Sequence, residues 1–216
     1  MPSPTAENYL KALLALSRES LTVGVTELAS SLDVSKPAAN SMVKTLHGQG
    51  LLKYQRYKPL RLTEDGRRAA ALIVRKHRLT EMYLVEAMGF GWEEVHEIAE
   101  QVEHIQSPKF FARMDELLGY PSVDPHGSPI PGPDGEIVKL DHRRLAEVPV
   151  GDSVVLRAVR SETDELLSFL TRKGIALGTE LHVLEQENFD RSLVVSYGEN
   201  HQERLSSAVV GALWVD

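Results

Sequence analysis

With 216 residues, 42% of them hydrophobic and 25% charged, the chain has material for one large domain or two to three small ones. It contains no cysteine, which excludes disulfides and thiolate metal sites and leaves oxygen and imidazole donors for any metal. The net charge of −7 is uneven: residues 1–62 hold eight Lys/Arg against four acids, a surplus of +4, which leaves −11 for the remainder. A basic front on an acidic body points to a polyanion at the front. No apolar run approaches a membrane span and the N-terminus lacks signal-peptide blocks, so the expectation is a cytoplasmic protein without a membrane partner.

The first helix is expected over Thr5–Ser17, with Tyr9, Leu10, Leu13, Leu14 and Leu16 on one broad apolar face. A short helix over Thr26–Leu32, a turn at Asp33–Ser35 and a second helix over Lys36–His47 have the apolar spacing of a helix-turn-helix. Pro37 suits the first turn of that second helix, where its missing N–H costs nothing. Ser35, Lys36, Pro37, Ala38, Asn40, Ser41 and Lys44 are its candidates for the major groove. Leu51–Leu62 reads as two strands and a turn, a wing whose Arg56 and Lys58 suit a phosphate backbone. Thr63-Glu64-Asp65 then caps a long helix running toward Gly89, and Phe110–Leu118 forms a further amphipathic helix.

Between those two helices lies the stretch Val95–Ile105. On a 3.6-residue period, His96, Glu100, Glu103 and His104 share one stripe, while Val95, Ile98, Val102 and Ile105 share another. Two imidazoles and two carboxylates on one helix face are a usable ligand set for a divalent cation. A solvated polar face is the competing reading of this segment alone. One helix upstream, His77 and Glu81 repeat the pairing at i, i+4, and six candidate ligands on neighbouring helices favour metal. Tyr120–Gly135 holds five prolines and reads as a linker, in which His126 is expected to be solvated rather than a ligand. From Val148 onward, short strands at Ser153–Val159, Glu180–Gln186, Leu193–Tyr197, Gln202–Leu205 and Leu213–Val215, with a capped helix over Asp164–Thr171, predict a small β-barrel.

A winged helix followed by His77-x3-Glu81, then His96-x3-Glu100-x2-Glu103-His104, then Pro125-His126-Gly127-Ser128-Pro129-Ile130-Pro131, resembles one family over essentially the whole chain. It is similar to the metal-activated repressors typified by the diphtheria toxin repressor, the iron-dependent regulators and the manganese transport regulators. Glu7-Asn8-Tyr9-Leu10 matches that family's start, and the tail from Val150 looks like the SH3-type, FeoA-like module of its longer members. The resemblance implies a primary metal site on Asn8, Glu100, Glu103 and His104. It implies an ancillary site on His77, Glu81 and His96, completed by Glu162 and Glu165. Iron-type members carry methionine and cysteine where Asn8 and Glu100 stand. Manganese-type members place an aspartate at the position of Asn8, and short ones place a further acid at that of Lys11.

The expected architecture is multidomain and mainly α, with a small β-barrel. A winged helix-turn-helix spans 1–62, a helical metal-binding and dimerisation domain 63–120, a proline-rich linker 121–147 and an SH3-like domain 148–216. The expected function is a metal-dependent repressor, not an enzyme, that binds palindromic double-stranded operator DNA as a homodimer and controls metal-homeostasis genes. Oxygen donors in place of sulfur favour Mn(II), with Fe(II) second, while Zn(II), Co(II) or Cd(II) would bind in vitro. No organic substrate is expected. The competing readings are a winged-helix regulator that senses an organic ligand and a His/Glu metalloenzyme. The latter lacks HExxH and any Gly-x-Ser-x-Gly.

Overall fold

The computed structural model describes residues 2–19, 22–160, 163–199 and 201–216. The chain forms two compact units: Met1–Thr80 with Ala99–Tyr120 and Ile130–Val138, and Glu81–Ile98 with Pro121–Pro129 and Lys139–Asp216. Among the described residues, no helix is long and apolar enough to cross a membrane.

The first unit begins with α1 (Pro4–Glu19), α2 (Val25–Ser31) and α3 (Lys36–Gly48). Their apolar spacing buries Leu10, Leu13, Leu28, Ala39, Val43 and Leu46 in one core, each leucine contributing roughly 2 kcal/mol. Ser35 caps α3 by accepting from the Ala38 N–H at 3.3 Å, with Pro37 in the first turn. The wing is a two-stranded antiparallel ribbon, β1 (Leu52–Lys53) and β2 (Arg61–Leu62), pairing Leu52 with Leu62 and Lys53 with Arg61. Arg56 and Tyr57 make its tip, where Tyr57 adopts a φ of 65° and the Arg56 guanidinium lies 4.8 Å from its ring centroid.

Helix α4 (Glu64–Met88) starts against this wing. The Thr63 hydroxyl accepts from the Gly66 N–H at 3.0 Å, and a Cβ at Gly66 would lie 1.9 Å from the Leu51 carbonyl oxygen. Only glycine permits that approach. Further along α4, Arg75 donates to the Pro131 carbonyl at 2.6 Å and pairs with Asp115 of α6 (Pro108–Leu117). Between them, α5 (His96–Val102) is short. Its buried positions with the residues that flank it are Val95, Ala99 and Glu103, an i, i+4, i+8 stripe, whereas Ile105 is exposed. The expected apolar stripe is therefore displaced: a carboxylate takes a place in the core that an isoleucine was expected to fill.

The second unit is built on a six-stranded antiparallel sheet in the order β3-β8-β4-β5-β6-β7. The strands are β3 (Arg143–Arg144), β4 (Ser153–Val159), β5 (Glu180–Gln186), β6 (Leu193–Tyr197), β7 (His201–Leu205) and β8 (Leu213–Val215). The expected closed barrel does not form, because β3 and β7 remain unpaired edges of the sheet among the described residues. A β3 of two residues is too short to close it. Helices cover the core instead, with Leu167 and Leu170 of α7 (Asp164–Lys173), Val210 of α8 (Ser207–Ala212) and Leu145 of a 3-10 turn packed into it.

Candidate metal centres

The first unit gathers acids and imidazoles from three elements. Glu103, just past α5, is 0% exposed although it carries a carboxylate. Lys11 of α1 donates to Glu103 Oε1 at 2.8 Å, to Glu103 Oε2 at 2.9 Å and to Glu100 Oε1 at 2.5 Å. His77 of α4 places Nδ1 2.6 Å from Glu103 Oε2. Burial pushes the Glu103 carboxyl up, but the His77 hydrogen bond and the Lys11 charge outweigh it and hold the group below the usual carboxylate range.

His104 is fixed the same way, with Nδ1 2.6 Å from Glu7 Oε2, while Gln106 donates to Glu7 Oε1 at 3.0 Å. An imidazole nitrogen at that distance from a carboxylate carries the proton, so Nε2 is left as the lone-pair donor. His104 Nε2 lies 3.8 Å from Glu103 Oε1, a separation that two ligands of one cation can share. Donor atoms of His77, Glu100 and Glu103 lie within 4.8 Å of one another. On the turn of α1 that carries Glu7 and Lys11, Asn8 Oδ1 is buried and has no hydrogen-bond partner. A buried orphan acceptor on the helix whose Glu7 and Lys11 reach His104, Glu100 and Glu103 adds an oxygen donor that fits a divalent ion.

The second unit also contains a cluster. Glu81, Asp124 and His126 are all buried, with donor atoms within 4.8 Å of one another. The expectation of a solvated His126 is wrong: it is 0% exposed. The proline-rich segment folds tightly here, because Asp124 Oδ1 accepts from the N–H groups of His126 and Ser128, each at 2.9 Å. Gly127, at a φ of 84°, would place a Cβ 2.0 Å from the Arg157 carbonyl oxygen. His126 Nε2 donates to the Trp92 carbonyl at 2.8 Å, which leaves Nδ1 as an acceptor that is buried and without a partner. Ligating histidines are commonly oriented this way, one ring nitrogen tied to a carbonyl and the other offered to metal. His96 Nδ1 approaches Glu81 Oε1 at 3.3 Å. Glu165 is exposed and joins none of the donor clusters among the described residues, and Glu162 lies outside those residues. Asp124 and His126 were missed because neither lies on a periodic element; Asp-Pro-His-Gly, a turn whose aspartate caps its own backbone, was the available signal.

On the reading helix, Ser35, Lys36, Pro37, Ala38, Ser41 and Lys44 are exposed, as are Arg56 and Lys58 of the wing. Asn40 is half-buried and its Oδ1 accepts from the Tyr54 hydroxyl at 3.3 Å. That bond uses one of the two lone pairs of Oδ1 and leaves the amide N–H groups as donors.

Comparison with known proteins shows the family. Residues 1–60 match the iron dependent repressor N-terminal DNA binding domain. Residues 63–132 match the iron dependent repressor metal binding and dimerisation domain, and 143–216 the FeoA domain. The iron-dependent repressor IdeR of Mycobacterium leprae is 34% identical over 177 residues, covering 78% of this chain and 77% of that protein. The chain belongs to the iron-dependent repressor family. Within that family it is also similar to the diphtheria toxin repressor of Corynebacterium diphtheriae, 33% identical over 194 residues with 85% of each chain covered. Among solved structures, a manganese-dependent transcriptional repressor in complex with manganese superimposes with a TM-score of 0.88 at 34% identity, over 97% of this chain and 98% of that one.

Proposed function

We propose that this chain is a metal-activated transcriptional repressor whose reading head is locked by a divalent cation held on Asn8, Glu100, Glu103 and His104. The observation that carries the reading is the convergence of α1, the helix that packs against α2 and α3, with the end of α5. When bound, the cation supplies a cross-link between oxygen and imidazole donors of those two elements. Glu7 holds His104 with its Nε2 free to ligate, and His77 holds Glu103 in a fixed rotamer. A head tied this way presents α3 in one orientation, and the gain in DNA affinity equals the cation's preference for that orientation.

Glu81, Asp124 and His126 form the second candidate site, with His96 beside Glu81. Glu162 and Glu165 are proposed as further donors from the FeoA-like domain. Oxygen and nitrogen donors without sulfur support Mn(II) ahead of Fe(II). Phe110, Leu117 and Tyr120 are exposed on and just after α6, and this apolar surface supports a homodimer on a palindromic operator. The proposed targets are metal-homeostasis genes.

The test is fluorescence anisotropy of candidate promoter DNA with the full chain, titrated with Mn(II) and, anaerobically, Fe(II). The expected result is tight binding with Mn(II), weaker activation by Fe(II) and reversal by chelator. DNA affinity that survives complete demetallation would reject the reading.

A further inference from the structure

The tip of the wing holds a residue that the fold does not call for. Tyr57 is 90% exposed, so its ring adds nothing to the core. It stands third in a four-residue turn that the Lys58 N–H closes on the Gln55 carbonyl at 3.0 Å, and its φ is 65°. A left-handed residue at that place in a turn is usually glycine or asparagine, because a larger side chain costs stability there. An exposed aromatic kept at a strained position is placed for a partner. The Arg56 guanidinium lies 4.8 Å from its ring centroid. Residues 51–62 also carry Lys53, Lys58 and Arg61, with no acid among them. The partner is therefore an anion, and beside a reading helix it is DNA.

The ribbon is fastened to that helix. The Leu51 N–H donates to the Leu46 carbonyl at 3.0 Å, His47 Nδ1 to the Leu52 carbonyl at 2.9 Å and the Tyr54 hydroxyl to Asn40 Oδ1 at 3.3 Å. With α3 in a major groove, a tip roughly 10 Å beyond Lys53 reaches past the bordering phosphates. Lys53, Lys58 and Arg61 suffice for those phosphates, which take any cation and gain nothing from a stacked ring. The minor groove beyond them is about 6 Å wide, and A·T pairs present only acceptors in it. Runs of A·T also narrow it and make it more negative. A guanidinium lying on a tyrosine, with a phenolic O–H beside it, is a thin set of donors that matches this edge, whereas guanine puts an amino group in its way. We propose that Arg56 and Tyr57 read the minor groove beside the segment that α3 contacts, selecting A·T pairs there and setting sequence preference at a position α3 does not touch. The inference rests on the DNA-binding reading above.

The experiment selects Mn(II)-dependent binders of the full chain from a library of random DNA duplexes, using the wild type and the Arg56→Ala, Tyr57→Ala and Lys58→Ala variants. Wild-type sites are expected to hold A·T pairs at a position whose preference disappears in the sites chosen by Arg56→Ala and Tyr57→Ala. Placing G·C at that position is expected to weaken wild-type binding on the order of tenfold by anisotropy. Diaminopurine in place of adenine adds only the minor-groove amino group and is expected to weaken binding as G·C does. Inosine in place of guanine removes that group and is expected to restore affinity. Lys58→Ala, which loses a phosphate contact, is expected to weaken all duplexes alike. Circular dichroism checks the fold of the variants, and the two base analogues decide on the wild type alone if a variant does not fold. An A·T preference that survives both tip substitutions, equal losses on A·T and G·C duplexes, or no penalty from diaminopurine overturns the inference and leaves the repressor reading standing. A wild type that binds no duplex in a Mn(II)-dependent way overturns both.

Discussion

The Glu103 and His126 clusters use the same chemistry, buried carboxylates and imidazoles, yet they are held in opposite ways. Around Glu103, side chains hold side chains: Lys11 and His77 compensate the buried carboxylate, and Glu7 orients His104. Around His126, the backbone does the holding, through N–H groups on Asp124 and the Trp92 carbonyl on the imidazole. The first centre is thus tied, through Glu7 and Lys11, to the helix that packs against α2 and α3, which suits the proposed switch. The second is set in a rigid turn, which suits a brace rather than a sensor.

The largest expected effect is at the switch. Glu103→Ala removes a proposed ligand and the partner of both Lys11 and His77, and should cost at least on the order of 100-fold in metal-dependent DNA affinity by anisotropy. A variant with full metal response would remove the distinction between the two centres. Next, His126→Ala should cost one bound Mn(II) per chain by dialysis while leaving the Glu103-dependent ion in place. Loss of both ions together would show that the centres are not independent. Glu7→Gln leaves the shape of His104's partner but weakens its hold, and about a tenfold loss of metal affinity is expected by calorimetry. On the brace, Gly127→Ala combines a positive φ with a clash against the Arg157 carbonyl, and about 2–4 kcal/mol should be lost in thermal or urea unfolding.

The smallest effect is on pH. Glu103 is held below its ordinary pKa in the folded chain, so its stabilisation is present above the unfolded carboxylate value, about 4.3, and is lost as pH falls through the lowered folded value. Unfolding of the metal-free wild type should therefore become easier only in acid, and Glu103→Gln should flatten that part of the profile. A midpoint that first falls near neutrality would place the sensitive group elsewhere.

The difference in how the clusters are held also decides what could be read in advance. Helical period exposes His77, Glu100, Glu103 and His104, because side chains on neighbouring turns share a face by geometry alone. The same reasoning places the reading helix, since Ser35 and Pro37 mark its start in the sequence as they do in the fold. It does not foresee how Glu103 is held, because its full burial is compensated by a lysine 92 positions away. It fails again at Asp124 and His126, where a turn with no periodicity reverses the expectation of exposure. The open sheet was hidden for a related reason: alternation identifies strands, but whether the two edges meet depends on strand length and on the helices packed over the core.

Crystals of the Mn(II)-loaded full chain, measured at a wavelength where manganese scatters anomalously, test the central claim most directly. The account predicts a peak bounded by Asn8, Glu100, Glu103 and His104, with Lys11 excluded from its coordination sphere. No peak at that position, in protein whose operator binding still depends on manganese, would contradict it.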